Sequence, residues 1–375
     1  MRRSLLLISS IALLVSCSKE LKQDEASLAE ARNKEKNAAL FNARQESATF
    51  NEIASIQIGG EGAAEISAFD SETKKLFVVN NSEGNNRIEV LDLSNPASPV
   101  ITGFINIALY GGLVNSVAVS NGKLATAIEA LDKVNPGKVV VFNTTTHAAI
   151  SAITVGSLPD MVTFTPDGKF ILTANEGEPN DAYTIDPLGT VSIISVENNY
   201  AATTLDFSSF ASRVTELKAK GLRFFGKNAS FEQDMEPEYI AVSANSNTAW
   251  VTLQENNAIA KIDIASKTIT NIFPLGFKDY NNAWNTIDPT NQGGTIEFGQ
   301  WPVKGMYLPD AIAVNSNNGV PFIYSANEGD AREYDGFSEI ERINDGSIIL
   351  DPVAFPNAAV LKTNLQLGRL NINTT

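Results

Sequence analysis

Apolar residues in this chain fall in short runs separated by turns rich in Gly, Asn and Asp, a pattern of strands rather than helices. One phrase organises them. Leu308-Pro309-Asp310-Ala311-Ile312-Ala313-Val314 carries an acidic residue into a strand. The turn Asn318-Gly319 comes next, and a second strand leads to Tyr324-Ser325-Ala326-Asn327-Glu328-Gly329-Asp330. The phrase occurs earlier as Leu158-Pro159-Asp160-Met161-Val162, answered by Ala174-Asn175-Glu176-Gly177. It occurs again as Glu236-Pro237-Glu238-Tyr239-Ile240, answered by Thr252-Leu253-Gln254-Glu255. Looser copies start at Glu65 and Asn115. A phrase copied along a chain marks a repeat architecture.

Third strands succeed each pair, as Arg87 to Asp92, Lys138 to Phe142, Thr190 to Ile194 and Ala258 to Asp263. Fourth strands such as Ala148 to Ile153 complete the unit. Four antiparallel strands per repeat is the blade of a β-propeller. The expected fold is therefore all-β, with about five complete blades and a partial sixth, which also matches a truncated seven-bladed ring. Such a ring would be open or strained. The segment Asn51 to Ile58 reads as an outer strand that could close it. One long spacing accommodates a helical insertion from Ser208 to Lys220, and the other an irregular stretch from Lys278 to Met306.

The start of the chain differs. Arg2 and Arg3 precede an apolar run, Leu5 to Val15, too short to span a bilayer comfortably, and Cys17 comes just after it. The Leu-x-small triplet before that cysteine resembles a bacterial lipobox, and Ser18 in the next position implies the outer membrane. Residues 1–17 are thus expected to be a lipoprotein signal peptide lipidated at Cys17, residues 18–50 a charged tether, and residues 51–375 the propeller. The protein would be exported, on the periplasmic face or the cell surface, touching membrane only through its lipid.

Composition narrows the partners. A net charge of −15 argues against nucleic acid, whose phosphates select basic surfaces. One histidine, His147, sits in a polar turn, and one cysteine excludes an internal disulfide. There is no nucleophile elbow, phosphate-binding Gly loop or His-based metal motif.

Blade geometry turns the phrase into candidate chemistry. The residue entering strand one and the residue leaving strand two lie on the same face of a blade, near the channel. The first set is Glu65, Asn115, Asp160, Glu238 and Asp310; the second is Asn81, Glu129, Glu176, Glu255 and Glu328. Asp and Asn at such positions also serve as turn caps, whereas Glu caps less readily. Carboxylates so close together need neutralising groups, either hard cations such as calcium or nearby Arg332, Arg223, Lys278 and Lys304. Asp160, Glu176, Glu238, Glu255, Asp310 and Glu328 are the candidate metal ligands. With Asn175, Asn327 and Arg332 they form the candidate ligand-binding set.

Leu308 to Val314, Ala326 to Arg332, Thr173 to Pro179, Asp234 to Ile240 and Trp301 to Met306 resemble the choice-of-anchor I family, which is related to the mesenchyme-specific cell-surface glycoprotein group. The resemblance runs from about Glu65 to Asn373. It implies an extracellular or envelope propeller of the YVTN/WD40-like kind, with cell attachment varying among members. Members usually continue past Leu367-Gly368-Arg369-Leu370, which implies a fragment or a propeller lacking its closing blades. They also tend to carry an acidic, calcium-loop-like run where this chain has Ile287 to Gly294. Two functions stay open. One is a binding propeller whose acidic face takes a small-molecule ligand, cation or protein partner. The other is a calcium-dependent phosphoric ester hydrolase of the alkaline-phosphatase or phytase-like type.

Overall fold

The computed structural model describes residues 51–82 and 84–375. The expected signal peptide, Cys17 and the expected charged tether lie outside the described residues. Ile56–Thr375 is a compact unit that holds every sheet among the described residues.

Four consecutive antiparallel sheets are meanders of four strands each. The first holds β1 (Ala63–Asp70), β2 (Lys75–Asn80), β3 (Arg87–Asp92) and β4 (Val100–Asn106). The second holds β5 (Val114–Ser120), β6 (Lys123–Ile128), β7 (Pro136–Asn143) and β8 (Ala149–Ser157). The third holds β9 (Pro159–Phe164), β10 (Phe170–Asn175), β11 (Thr190–Ser195) and β12 (Ala201–Leu205). The fourth holds β13 (Pro237–Val242), β14 (Thr248–Leu253), β15 (Ala258–Asp263) and β16 (Thr268–Pro274). A two-residue pair, β17 (Lys278–Asp279) with β18 (Lys304–Gly305), spans the irregular insertion. A fifth inner hairpin, β19 (Pro309–Asn317) with β20 (Val320–Asn327), comes next.

The sheets pack face to face. First strands neighbour one another in chain order, β1 on β5, β5 on β9, β9 on β13 and β13 on β19. This is the radial arrangement of a β-propeller. The core lies between blades, and the strand pattern explains why. In β7, Val140 and Phe142 join the cluster shared with the first sheet, while Val139 and Val141 join the cluster shared with the third. In β10, Ile171 faces back and Leu172 faces forward. Strands buried on both faces read as continuous apolar runs, with successive side chains serving opposite neighbours. Asn121-Gly122 and Asn318-Gly319 close hairpins with both residues at positive φ, as tight two-residue turns of this hand require.

The expected helical insertion is a 3₁₀ turn at Ser208–Arg213 running into a helix at Val214–Ala219. Phe207, Phe210 and Leu217 fasten it to the core shared by the third and fourth sheets. A second short helix, Phe231–Asp234, opens on a capping box between Ser230 and Gln233.

Two expectations are corrected. Residues 51–59 form no strand, with Ile53 and Ile56 exposed; they lack sustained alternation against a partner. The fifth repeat carries two strands rather than four. Beyond Asn327 the alternating pattern ceases and the chain forms only short pairs, β21 (Glu333–Tyr334) with β22 (Phe337–Ser338) and β23 (Ile340–Arg342) with β24 (Asn371–Asn373). The repeats predict about five complete blades, and four sheets are complete among the described residues.

Candidate functional site

The five entry positions share a backbone feature as well as a sequence phrase. In every inner pair the strand register slips where the entry residue sits. Glu65 falls between Ala63 and Ser67, Asn115 between Val114 and Ser116, and Asp160 between Pro159 and Val162. Glu238 falls between Pro237 and Ile240, and Asp310 between Pro309 and Ile312. In the third, fourth and fifth repeats the inner strand carries one residue more than its partner across the slip. Such a bulge takes a residue out of the ladder and re-aims its side chain. Leu158 and Leu308, two positions before the acids, have positive φ. In the fourth blade the Thr252 hydroxyl occupies the gap, accepting from Tyr239 N at 2.8 Å.

The residues at these strand ends serve two different purposes. Asn115 donates to the Pro159 carbonyl at 3.1 Å, and Asn81 to the Val114 carbonyl at 2.9 Å. Each amide ties its blade to the start of the next. Asn175, fully buried, donates to Thr190 and Ser192 within its own blade. Asn327 accepts from Ser325 at 2.9 Å in an exposed position. Asn81, Asn115 and Asn175 thus spend their amides on bonds within the protein.

The carboxylates converge instead. Burial first, and then Asp310, Glu178, Glu65 and Glu328, raise the pKa of Asp160 to about 7. Burial, then Glu255, Asp160, Asp310 and Glu328, raises Glu238 to about 10. Glu176 and Glu255 are also held well above the usual range, mainly by burial. Acids from several repeats therefore feel one another across the mouth. Yet among the described residues no three His, Cys, Asp or Glu side chains are gathered as a metal site would gather them. Asp160, Glu176, Glu238, Glu255, Asp310 and Glu328 are spread over three repeats. They act on one another electrostatically.

Arg332 is not an open ligand-binding group. It is 2% exposed, donates to Asp234 Oδ1 at 2.8 Å and to both oxygens of Glu236 at 3.1 Å, and reaches the Asp234 carbonyl at 2.9 Å. Arg223 pairs with Glu339, whose Oε1 also accepts from Arg332 N at 3.0 Å. The ring of Phe225 is shared by both guanidinium groups, 3.8 Å from Arg223 and 4.5 Å from Arg332. Two arginines thus answer three buried carboxylates, and Glu255 stands beside them, against Glu236, with no ion pair of its own among the described residues. Lys278 lies over Tyr280. Lys304 lines a separate apolar cavity of about 670 Å³ between the 278–306 insertion and the C-terminal segment.

A polar pocket of about 180 Å³ opens at this point, with Glu176, Glu178, Glu238 and Glu255 on one side and the Asp330–Tyr334 loop on the other. Gln254, oriented to satisfy both its ends, donates to the Glu238 carboxylate and accepts from Asp330 N at 3.3 Å, pinning that loop. Glu255 is only 8% exposed, and no lysine or arginine among the described residues pairs with its carboxylate. At the rim Lys133 pairs with Glu178, its ammonium 5.6 Å from the Tyr334 ring centroid.

The profile of the choice-of-anchor I domain matches residues 65–375. This chain belongs to the choice-of-anchor I family. No curated protein matches its sequence. Among solved structures it is similar to Kuenenia stuttgartiensis hydrazine synthase, at 13% identity and a TM-score of 0.36, over 53% of this chain and 64% of that one. It is similar to the β-propeller domain of Myceliophteria thermophila Cps50 (Swd1), at 10% identity and 0.40, over 60% and 58%. It is also similar to a functionally unknown protein from Desulfotomaculum acetoxidans, at 11% identity and 0.38, over 59% and 60%. The chain thus spans less than two thirds of each.

Choice-of-anchor domains are typically exported or displayed at the cell surface. In this choice-of-anchor I domain no helix among the described residues is long and apolar enough to cross a membrane. The repeated phrase locates the acids but not their surroundings. Asp234 and Glu236 lie four and two residues before Glu238, and that spacing is the one signal of them in the sequence. Nothing marks Lys133, Tyr334 or Glu339; Lys133 reaches the site from a loop of the second blade, and Tyr334 and Glu339 from the segment after the fifth hairpin.

Proposed function

We propose that this chain is an exported, lipid-anchored binding propeller whose acidic mouth takes up a cationic group. One observation carries the reading: Glu255 is buried in a carboxylate-lined pocket without an ion-pair partner among the described residues. A desolvated, unpaired carboxylate is costly and is relieved by a cation or a proton. Calcium-dependent phosphoester hydrolysis would need free cationic side chains to hold phosphate at the same mouth. The two candidates for that task are unsuited, since Arg332 is enclosed by Asp234 and Glu236, and Lys304 faces another cavity.

The test is thermal unfolding of the purified protein at pH 8 with calcium chloride or n-butylammonium chloride added. At least one should raise Tm by mass action, and Glu176→Gln with Glu255→Gln should abolish the rise. No response to either cation would overturn the reading. The anchor is tested separately. Cys17→Ala should move the protein out of the membrane fraction, and unchanged membrane association would sink the lipoprotein assignment.

A further inference from the structure

We infer that the pocket beside Tyr334 is built for an alkylammonium group, the tip of a lysine-like side chain, and that Lys133 of this chain is its resident competitor. This rests on the cation reading and names the class of cation.

Three features select an organic ammonium over a metal ion. The carboxylates surround a volume of about 180 Å³, room for a charged head and part of its stem. They do not approach as a coordination set among the described residues. The wall opposite them is aromatic, with Tyr334 packed on Tyr183 at 5.7 Å between ring centroids. An aromatic face beside carboxylates suits an ammonium, which gains from both the ring quadrupole and charge-assisted hydrogen bonds. Burial and the nearby glutamates hold the Tyr334 phenol protonated, so the wall adds no charge of its own.

Lys133 shows that this chemistry is accepted. Its ammonium already pairs with Glu178 and stands near the Tyr334 ring, while its side chain remains 31% exposed. Deeper in, Glu255 has no ion-pair partner among the described residues. An incoming ammonium on Glu255 and Glu176 would share the Tyr334 ring with Lys133 or displace it from that ring.

The experiment is calorimetric titration of the purified protein at pH 8 with Nα-acetyl-lysine N-methylamide. The controls are its norleucine analogue, cadaverine and calcium chloride. The lysine probe should bind and the norleucine probe should not. Lys133→Met should tighten binding about 5–30-fold by removing the internal rival. Tyr334→Leu should weaken it about fivefold, with Tyr334→Phe near wild type. Tighter binding of cadaverine than of the blocked lysine would point to soluble diamines as the source, and the reverse to a lysine on a protein partner. Equal behaviour of the lysine and norleucine probes would overturn the inference. If calcium still raised Tm in a Glu255-dependent way, the cation reading would survive that failure. If calcium too had no effect, both would fall. A Lys133→Met variant that folds, by circular dichroism, yet binds no more tightly would remove Lys133 from its role.

Discussion

The first two blades and the next two use their mouth positions in different ways. In the first pair Asn81 and Asn115 bond the backbone of the following blade, while Glu65 is exposed and Glu129 accepts from Leu113 N within its own blade. In the second pair the mouth holds Asp160, Glu176, Glu238 and Glu255, whose charges repel one another across the opening. One half of the ring uses these positions to hold blades together. The other half accumulates unpaired charge there, which opposes folding unless something binds. A repeated phrase is therefore not a repeated function, and the partners each mouth residue finds separate the two.

The largest effect should come from the link that keeps the acidic half folded. Arg332→Met leaves Asp234 and Glu236 buried without their cation, and should cost about 3–5 kcal/mol in urea unfolding. A loss below about 1 kcal/mol would mean that the buried pair tolerates its absence. Next, the two halves should respond with opposite sign. Asn115→Ala removes a bond between blades and should destabilise by about 1–3 kcal/mol. Glu255→Gln should stabilise the cation-free protein at pH 8 by about 1–2 kcal/mol. Equal signs would break the comparison.

Acidity supplies a third test. The raised carboxylates bind protons in the folded state that the unfolded chain has already released. Their stabilising contribution is complete below the ordinary carboxylate range. It is lost as pH rises through about 7 for Asp160 and about 10 for Glu238. Without added cation, Tm should fall between pH 5 and pH 9, and Glu238→Gln should flatten the slope. A Tm that rises over that interval would contradict the assignment. The smallest effect should be at Glu328, exposed at the end of the fifth repeat. Glu328→Gln should change stability by no more than about 0.5 kcal/mol.

Distance along the chain decides what is legible in the sequence. The inner strands, their Asn-Gly turns and the third strands are local patterns, and Arg87–Asp92 and Ala258–Asp263 form as the alternation predicts. The gathering of acids at one mouth is a consequence of strand direction alone. The bulges are not legible, because an extra residue in a ladder shows only when both strands are in register. The Arg332 pairs join residues nearly a hundred positions apart. Lys133 sits in a loop whose composition resembles any solvated turn. The outer strand expected at Asn51–Ile58 fails because isolated isoleucines do not make a strand without a neighbour to bond.

The bulge has a consequence for change over time. A ladder residue is constrained by its cross-strand partner and by the blade behind it, so replacing it disturbs two surfaces at once. A residue carried in a bulge has no cross-strand partner opposite, so its side chain is constrained only by what it meets at the mouth. The five mouth positions can therefore be rewritten one blade at a time while the scaffold stays the same. Asn115 and Asp160, in adjacent blades, already occupy equivalent places with different chemistry. The ring behaves as a row of interchangeable sockets, and a new specificity would need substitutions at the sockets rather than a new fold.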